Sequence, residues 1–222
     1  GFGHVNVEAK GYNASPTLDK RLKETDKIQQ QLNAMDEISA TATRIMGQAM
    51  FASASKSVGG SFIAIDPEQE DPEYNLMMKN IIEGEVFESA NSRGIVIGSL
   101  MAEKLNLKLG KKLVYTTTDI NGEIVGDVAR VSAIFKTSVD EVDGGLALIP
   151  INRMRKTLGY EKDEASMITV IIEDQRHSTE VRDMLRKRLN HDRAEILSWR
   201  ETQGDLAALI TIARSTNYLS QV

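Results

Sequence analysis

The stretch that decides the fold runs from residue 94 to residue 110 and reads GIVIGSLMAEKLNLKLG. Its first part, Ile95-Val96-Ile97, is a short apolar run that predicts a buried strand. Gly98-Ser99 then begins a helix, and Gly110 is predicted to close it, because glycine is common just after the last helical turn. The apolar side chains of this predicted helix are Met101, Leu105 and Leu107.

The segment that follows predicts a β-hairpin. Its two strands are expected at Leu113–Thr118 and Glu123–Phe135. Asn121-Gly122 lies between them and is typical of a type I′ turn, because both positions of that turn require a positive φ. This dipeptide is the strongest local hairpin signal in the chain.

The N-terminal part of the chain predicts a strand, a helix and a long strand. Residues 4–9 alternate apolar and polar side chains, which indicates a half-buried strand. Ser15 suits an N-cap and Pro16 the first helical position, so a helix of roughly 20 residues is predicted from there. Small and apolar residues then alternate over residues 38–57, which predicts one long strand or two strands. The apolar stripe of the predicted helix is Leu18, Leu22, Ile28, Leu32 and Met35.

The middle and the end of the chain predict shorter elements. Gly59-Gly60 is interpreted as a turn. Strands are expected at residues 61–65, 146–149, 168–172 and 195–197, and helices over 74–82, from Pro150 to Gly159, and over 179–189.

These elements fall into two sub-blocks. The N-terminal strand, helix and strand belong with the late strand, helix and strand, and a mainly β segment is inserted between them. The prediction is therefore an α+β fold. Its units are residues 1–56 and 160–198 for the first sub-block, 57–159 for the insertion and 199–222 for a terminal helix.

Composition excludes several classes of function. The chain has 222 residues, a net charge of −5 and no cysteine, so it has no disulfide framework and no thiol nucleophile. Its acidic balance gives no attraction to nucleic acid or anionic lipid. No apolar run of about 18 residues is present. We expect the chain to be a soluble piece of a longer protein or a cytosolic protein, and its abrupt ends favour the first.

Motifs for covalent chemistry are missing from the sequence. There is no Gly-x-x-x-x-Gly-Lys-Ser/Thr loop, so the chain is not predicted to hydrolyse ATP itself. His4, His177 and His191 have no spacing typical of metal ligands. Neither Ser92 nor Ser99 lies in a Gly-x-Ser-x-Gly elbow. We therefore predict no catalytic residue, no cofactor and no metal site.

Two clusters are weak candidates for a cargo or partner surface. Asp140, Glu141 and Asp143 form the densest acidic set beside a strand, and paired carboxylates can act in acid–base chemistry or hold a cation. A solvated loop is the favoured interpretation of this set. Met77, Met78 and Phe87 belong to an apolar cluster that could bind varied hydrophobic cargo, although a role in the core is favoured.

An ordered set of segments resembles the external domain of one family of ABC-transporter permeases, the MacB-like and lipoprotein-releasing (LolC/LolE-type) permeases. The resemblance covers nearly the whole chain, and each segment alone is a weak signal. The matching segments are Gly3-His4-Val5 with Gly11-Tyr12, Gly94 to Gly98, Leu105 to Leu113, Phe135 to Gly144, the strand from Leu146 to Ile149, and Trp199-Arg200-Glu201 with Gly204.

The resemblance implies a porter-like βαβ subdomain interrupted by a mainly β subdomain, on the periplasmic side of a bacterial inner membrane. It also implies a non-enzymatic transport subunit, a second permease protomer, a cytosolic ABC ATPase, and lipoprotein or other amphiphilic cargo. Trp199 is expected near the membrane interface, although packing against the porter-like block is equally compatible with the area it buries. The apolar part of the helix leading to the membrane is Leu206, Leu209 and Ile210.

Two alternatives stay open. Relatives that recruit a periplasmic lipoprotein carrier have a longer loop in the hairpin that Asn121-Gly122 closes here, so docking of a carrier by that loop is not implied. The domain could instead recruit a periplasmic partner protein, such as an adaptor, without moving cargo. A cytosolic enzyme is disfavoured because no coherent chemical site is present.

Overall fold

A computed structural model of the chain describes residues 5–189, 194–198 and 201. The strands in this part of the chain are β1 (Val5–Ala9), β2 (Ile38–Ala52), β3 (Ser57–Ile65), β4 (Ile81–Gly84), β5 (Gly94–Gly98), β6 (Lys112–Thr118), β7 (Ile124–Phe135), β8 (Leu146–Pro150), β9 (Met167–Ile172) and β10 (Ala194–Ser198). The α-helices are α1 (Thr25–Asn33), α2 (Leu76–Lys79), α3 (Ser99–Leu105), α4 (Asp140–Gly145), α5 (Ile151–Leu158) and α6 (Ser178–Arg188).

All ten described strands belong to one mixed sheet. Its order is β10-β1-β9-β2-β3-β8-β5-β7-β4, and β6 pairs with both β2 and β7. Helices α1 and α6 pack against the first four strands of this order. The other strands of the sheet are accompanied only by short helices. The predicted α+β fold, with a βαβ part interrupted by a mainly β part, is confirmed. Among the described helices, none is long and apolar enough to cross a lipid bilayer.

β1 lies deeper than its sequence predicts. All five residues are buried, because β10 pairs with one edge of the strand and β9 with the other. Val5 and Val7 pack with apolar side chains of both helices on one face, including Ile28 of α1 and Leu185 of α6. The prediction of a half-buried strand was wrong, since alternation shows that one face is apolar but not that the other face is exposed.

The first helix is shorter than predicted and begins at Thr25. Leu22 instead lies in an extended segment, where its N–H donates to the carbonyl of Ala165 (2.7 Å) and its carbonyl accepts from the Ala165 N–H (3.0 Å). Glu24, with φ 55°, precedes the helix. The predicted start at Ser15-Pro16 was wrong because a tertiary backbone pairing replaces the helical hydrogen bonds that the apolar spacing indicated.

Gly59-Gly60 lies inside β3 and is not a turn. The chain reverses earlier, where the Ser53 N–H donates to the Lys56 carbonyl (2.9 Å), so β2 is a single long strand. A Cβ on Gly60 would lie 2.4 Å from the carbonyl oxygen of Gly145. Glycine is therefore required at this position by the close approach of a second backbone segment.

Two other predicted helices are shorter in the structure than the sequence indicated. Residues 74–82 contain only the short helix α2, and Ile81 belongs to β4, which pairs with β7 opposite Phe135. Helix α3 ends at Leu105, because Asn106 adopts the left-handed conformation with φ 53°. The predicted close of this helix at Gly110 was therefore wrong by one turn.

The predicted hairpin is confirmed, but its turn differs. β6 and β7 pair from Lys112 opposite Arg130 to Thr118 opposite Ile124. The Asp119 N–H donates to the Glu123 carbonyl (2.8 Å), which leaves a three-residue loop. Gly122 has φ 79°, whereas Asn121 is not among the residues with positive φ. The loop therefore has the three-residue form with one left-handed position, and the predicted two-residue type I′ turn was wrong.

The remaining predicted elements are confirmed close to their expected positions. They are β5, β8, β9, β10 and α6, together with α5, which ends at a left-handed Gly159 with φ 78°.

Candidate functional site: a cleft beside β2

One edge of β2 changes its partner along its length. Residues Ile38–Arg44 pair with β9, and Met50–Ala52 pair with β6. Between these two pairings, side chains replace a neighbouring strand as hydrogen-bond partners. The Met46 N–H donates to Ser166 Oγ (3.1 Å), and Tyr12 Oη donates to the Met46 carbonyl (3.3 Å). This interruption of the ladder opens a cleft at the junction of the two parts of the fold.

The cleft has a volume of about 660 Å³, which lies in the range of small-molecule sites. Segment 12–19 forms one wall, the centre of β2 forms the floor, and the end of β6 with its turn forms the other wall. Its apolar lining consists of Tyr12, Pro16, Leu18, Met46, Ile120 and Met167.

The wall formed by segment 12–19 is held by a polar network. Tyr160 donates from its hydroxyl to the Leu18 carbonyl, and burial raises the pKa of Tyr160 above its ordinary value, so the hydroxyl stays protonated. Arg21 pairs with the buried carboxylate of Glu164 and lies 5.7 Å from the centre of the Tyr160 ring. These contacts fix the wall without a helix.

The opposite wall is fixed as well. Thr117 Oγ1 donates to the Gln48 carbonyl (2.7 Å), and the Ile120 N–H donates to the Leu158 carbonyl (3.3 Å). Asp119 Oδ1 accepts from the N–H groups of Asn121 and Glu123, at 2.8 and 2.9 Å. Both walls are therefore tied to the rest of the domain, and the cleft is preformed.

A buried ion pair lies near the floor. Arg44 of β2 binds Glu70 with two parallel hydrogen bonds of 2.7 and 2.8 Å. The side chains of Arg44 and Glu70 are only 4% and 3% exposed. Gln69, next in the same loop, accepts from the N–H and the hydroxyl of Thr43. The loop that follows β3 is thus attached to β2 at the point where β2 begins to leave β9.

The predicted apolar surface residues do not reach the cleft. Met77 and Phe87 are each 3% exposed and belong to the core cluster beside β4 and β7, with Met78 partly buried against it. The structure brings these three residues together, but as part of a core. Their assignment to a cargo or partner surface stays a prediction.

The three acidic residues do not form a solvated loop. Asp143 lies in α4 and is buried, where its Oδ1 accepts from the N–H (2.8 Å) and the hydroxyl (2.7 Å) of Thr137. Asp140 is exposed and Glu141 is partly buried. The loop interpretation was wrong for Asp143, because its carboxylate holds the segment that precedes its own helix. Within the described residues, no group of three or more His, Asp or Glu side chains is placed to hold a metal ion.

The predicted membrane-proximal residues Trp199, Leu206, Leu209 and Ile210 lie outside the described residues. The adjacent residue Glu201 is described, and it fastens the end of β10 to α6. Its carboxylate accepts from the Ser198 N–H (3.0 Å) and from Arg182 (2.6 Å). Burial opposes ionisation, but hydrogen bonds from Arg182 and the Ser198 backbone outweigh it and lower the pKa of Glu201 to about 2.

Sequence reasoning missed the cleft. Tyr12, Leu18 and Asp19 were expected in a loop or on a helix, and Met46 in a long strand, with no sign that they meet. The partner change along β2 depends on residues far apart in sequence, so it leaves no local pattern. The one available signal was Tyr12, an aromatic side chain in an otherwise polar loop.

Comparison with known proteins gives the family. The sequence profile of the MacB-like periplasmic core domain matches residues 3–188. This chain belongs to that family. It is therefore an extracytoplasmic domain of the MacB-like ABC-transporter kind. No curated protein sequence matches the chain.

Solved structures with the same fold include two transporter domains. One is the extracellular domain of the noncanonic ABC-type transporter YknZ from Gram-positive bacteria, with a TM-score of 0.60 and 12% identity, covering 87% of this chain and 99% of that one. The other is the periplasmic region of MacB from Actinobacillus actinomycetemcomitans, with a TM-score of 0.59 and 11% identity, covering 91% of this chain and 92% of that one. At these identities the likeness concerns the fold.

Proposed function

We propose that this MacB-like domain belongs to a dimeric permease in the bacterial inner membrane and couples ATP hydrolysis by a cytosolic ATPase to the release or export of lipoprotein or other amphiphilic cargo. In this proposal the domain performs no covalent chemistry. Residues 1–56 with 160–198 would act as the porter-like unit, and residues 57–159 as the inserted unit.

One observation carries the proposal. Val5 of β1 and Ser198 of β10 are direct partners in the sheet, so the start of the first described strand and the end of the last lie side by side at one end of the sheet. From there the hydrogen-bonded strands β1, β9 and β2 lead without interruption to the floor of the cleft. Membrane helices connected to these two strand ends would transmit their motion to the cleft through the backbone hydrogen bonds between β1, β9 and β2. These hydrogen bonds deform little.

A flexible insertion tests this coupling in the full-length permease with its ATPase in proteoliposomes. Three glycines placed between Ser198 and Trp199 are expected to leave ATP hydrolysis within about twofold and to reduce release of a fluorescent triacylated lipopeptide by about tenfold. The control carries three glycines after Ala54, in the exposed turn before β3. Unchanged lipopeptide release in the first variant would contradict the proposal.

A second candidate function has its own support. The outer face of the β6–β7 hairpin exposes Val114, Ile124 and Val128, with Ile124 81% exposed. Apolar side chains on a rigid hairpin favour contact with a periplasmic partner protein, without transport of cargo. If charged substitutions at Ile124 and Val128 abolish activity in the cell while lipopeptide release persists, the partner-recruiting function is supported.

A further inference from the structure

We propose that the cleft beside β2 binds an amphiphile with a cationic head, such as a primary or quaternary amine joined to an apolar chain. This inference rests on the proposed transport of amphiphilic cargo and names the class of molecule that would be handled. Three features of the cleft carry it: its apolar floor, the sign of the charge at its mouth and its preformed walls.

The floor suits an apolar chain. Pro16, Leu18 and Ile120 form the apolar lining that solvent reaches, and the buried side chains of Met46 and Met167 lie behind it at 5% and 1% exposure. Gly47 lies between Leu18 and Phe62, and a Cβ there would come within 2.8 Å of the Phe62 ring. The absence of a side chain at Gly47 therefore leaves room for the Leu18 side chain to pack beside the buried Phe62 ring.

The mouth is acidic. Among the described residues that line the cleft, the charged ones are Asp19 and Asp119. The basic residues that follow Asp19 in the chain make contacts with other groups: Lys20 Nζ donates to the Ser15 carbonyl (2.7 Å), and Arg21 pairs with Glu164. A hydrogen bond from Thr17 lowers the pKa of Asp19, which keeps this carboxylate ionised. An apolar floor below two carboxylates selects against an anionic head and for a cationic one.

The preformed walls reduce the cost of binding. Segment 12–19 and the β6–β7 turn are both held by hydrogen bonds to the rest of the domain, at the Met46, Leu18, Gln48 and Leu158 carbonyls. A ligand would therefore not need to order a loop, which is a main entropic cost of binding. Entry from solvent requires no rearrangement of the sheet.

The test uses the purified 222-residue chain and isothermal titration calorimetry below the micelle concentration. The probes are dodecyltrimethylammonium, dodecyl sulfate and dodecyl maltoside, which share an apolar chain and differ in head charge. We expect one dodecyltrimethylammonium per chain, with an affinity about tenfold higher than that of the sulfate. The double variant Asp19→Asn/Asp119→Asn should lose this preference, because both substitutions keep a hydrogen-bond acceptor and remove the charge.

Two further variants distinguish binding in the cleft from nonspecific binding to the protein surface. Asp36→Asn removes one carboxylate charge at an exposed position outside the cleft lining and should leave binding unchanged. Thr118→Trp, at an exposed lining position, should fill the mouth and reduce binding of every probe by about tenfold. Absence of saturable cation binding, equal affinity for cation and anion, or binding that Thr118→Trp does not affect would each overturn the inference. Failure of these tests with the glycine-insertion result intact would leave the proposed coupling standing.

Discussion

Strands β1 and β6 both point successive side chains to opposite faces of the sheet, but their surroundings differ. β1 reads VNVEA, and all five of its residues are buried, including Asn6 and Glu8. β6 reads KLVYTTT, and its buried residues Leu113, Tyr115 and Thr117 alternate with exposed or partly exposed ones. Alternation of apolar and polar residues therefore indicates that one face of a strand is apolar. Only the neighbouring elements decide whether the opposite face contacts solvent or protein.

The ion pairs of the two regions differ in the same way. Arg44 and Glu70, beside β9, are almost completely buried, whereas Arg153 and Asp127, beside β6 and β7, are each 22% exposed at a distance of 2.6 Å. A buried charge that loses its partner cannot be hydrated, whereas an exposed one can. The region of β1, β9 and β2 should therefore be sensitive to polar substitutions that the hairpin tolerates.

The largest effect is expected at the buried pair. Arg44→Met should lower the free energy of unfolding by about 3–5 kcal/mol, because Glu70 is left charged and buried. Urea denaturation followed by circular dichroism measures this loss. The double variant Arg44→Met/Glu70→Leu should recover most of it, and Arg153→Met should cost less than about 1 kcal/mol. Equal losses for Arg44→Met and Arg153→Met would remove the difference between the regions.

A smaller loss is expected in α4, which lies between the regions. Asp143→Ala should cost about 2–3 kcal/mol, because the N–H and hydroxyl of the partly buried Thr137 lose their charged acceptor. Thermal unfolding of the purified domain provides the measurement. Asp143→Asn keeps an acceptor oxygen and should cost less than half as much. A loss with asparagine as large as with alanine would show that charge, not hydrogen bonding, holds this segment.

A pH-dependent effect is expected where β10 ends. The pKa of Glu201 falls from its usual 4.5 to about 2 in the folded state, so its contribution is complete above about pH 4.5 and is lost as the pH falls towards 2. Glu201→Gln should therefore cost about 0.5–1 kcal/mol at pH 7, since the group is partly solvent-screened. The difference from the wild type should vanish near pH 2 in acid titrations of stability, and a constant difference would exclude this ion-pair role.

The smallest effect is expected on the outer face of the hairpin. Ile124→Ser and Val128→Thr should each change the free energy of unfolding by less than about 0.5 kcal/mol, because both side chains are exposed to solvent. Val131→Thr, at a buried position of the same strand, is the matched control and should cost more than 1 kcal/mol, as expected for a buried hydroxyl. A large loss at Ile124 would mean that this face is covered in the folded protein.

Local signals in the sequence predicted much of the fold. The apolar run at Ile95 to Ile97 and the capping glycine Gly159 identified elements that depend on neighbouring residues alone, and both are confirmed. The errors occurred where a distant segment supplied the partner. Leu22 pairs with Ala165, and Gly60 lies against Gly145, so neither follows its local signal. The cleft was not predicted from the sequence for the same reason.

The sequence by itself determined the α+β class, the order of most elements and the family resemblance, because these depend on periodicity, capping residues and ordered short motifs. Only the tertiary structure decided the burial of Asn6 and Glu8, the role of Asp143 and the cleft where β2 passes from β9 to β6. The Asp143–Thr137 contact spans six positions, and the other features arise from contacts between residues separated by tens of positions. Long-range contacts of this kind are determined by the packing of the whole sheet, and they leave no periodic pattern in any one segment.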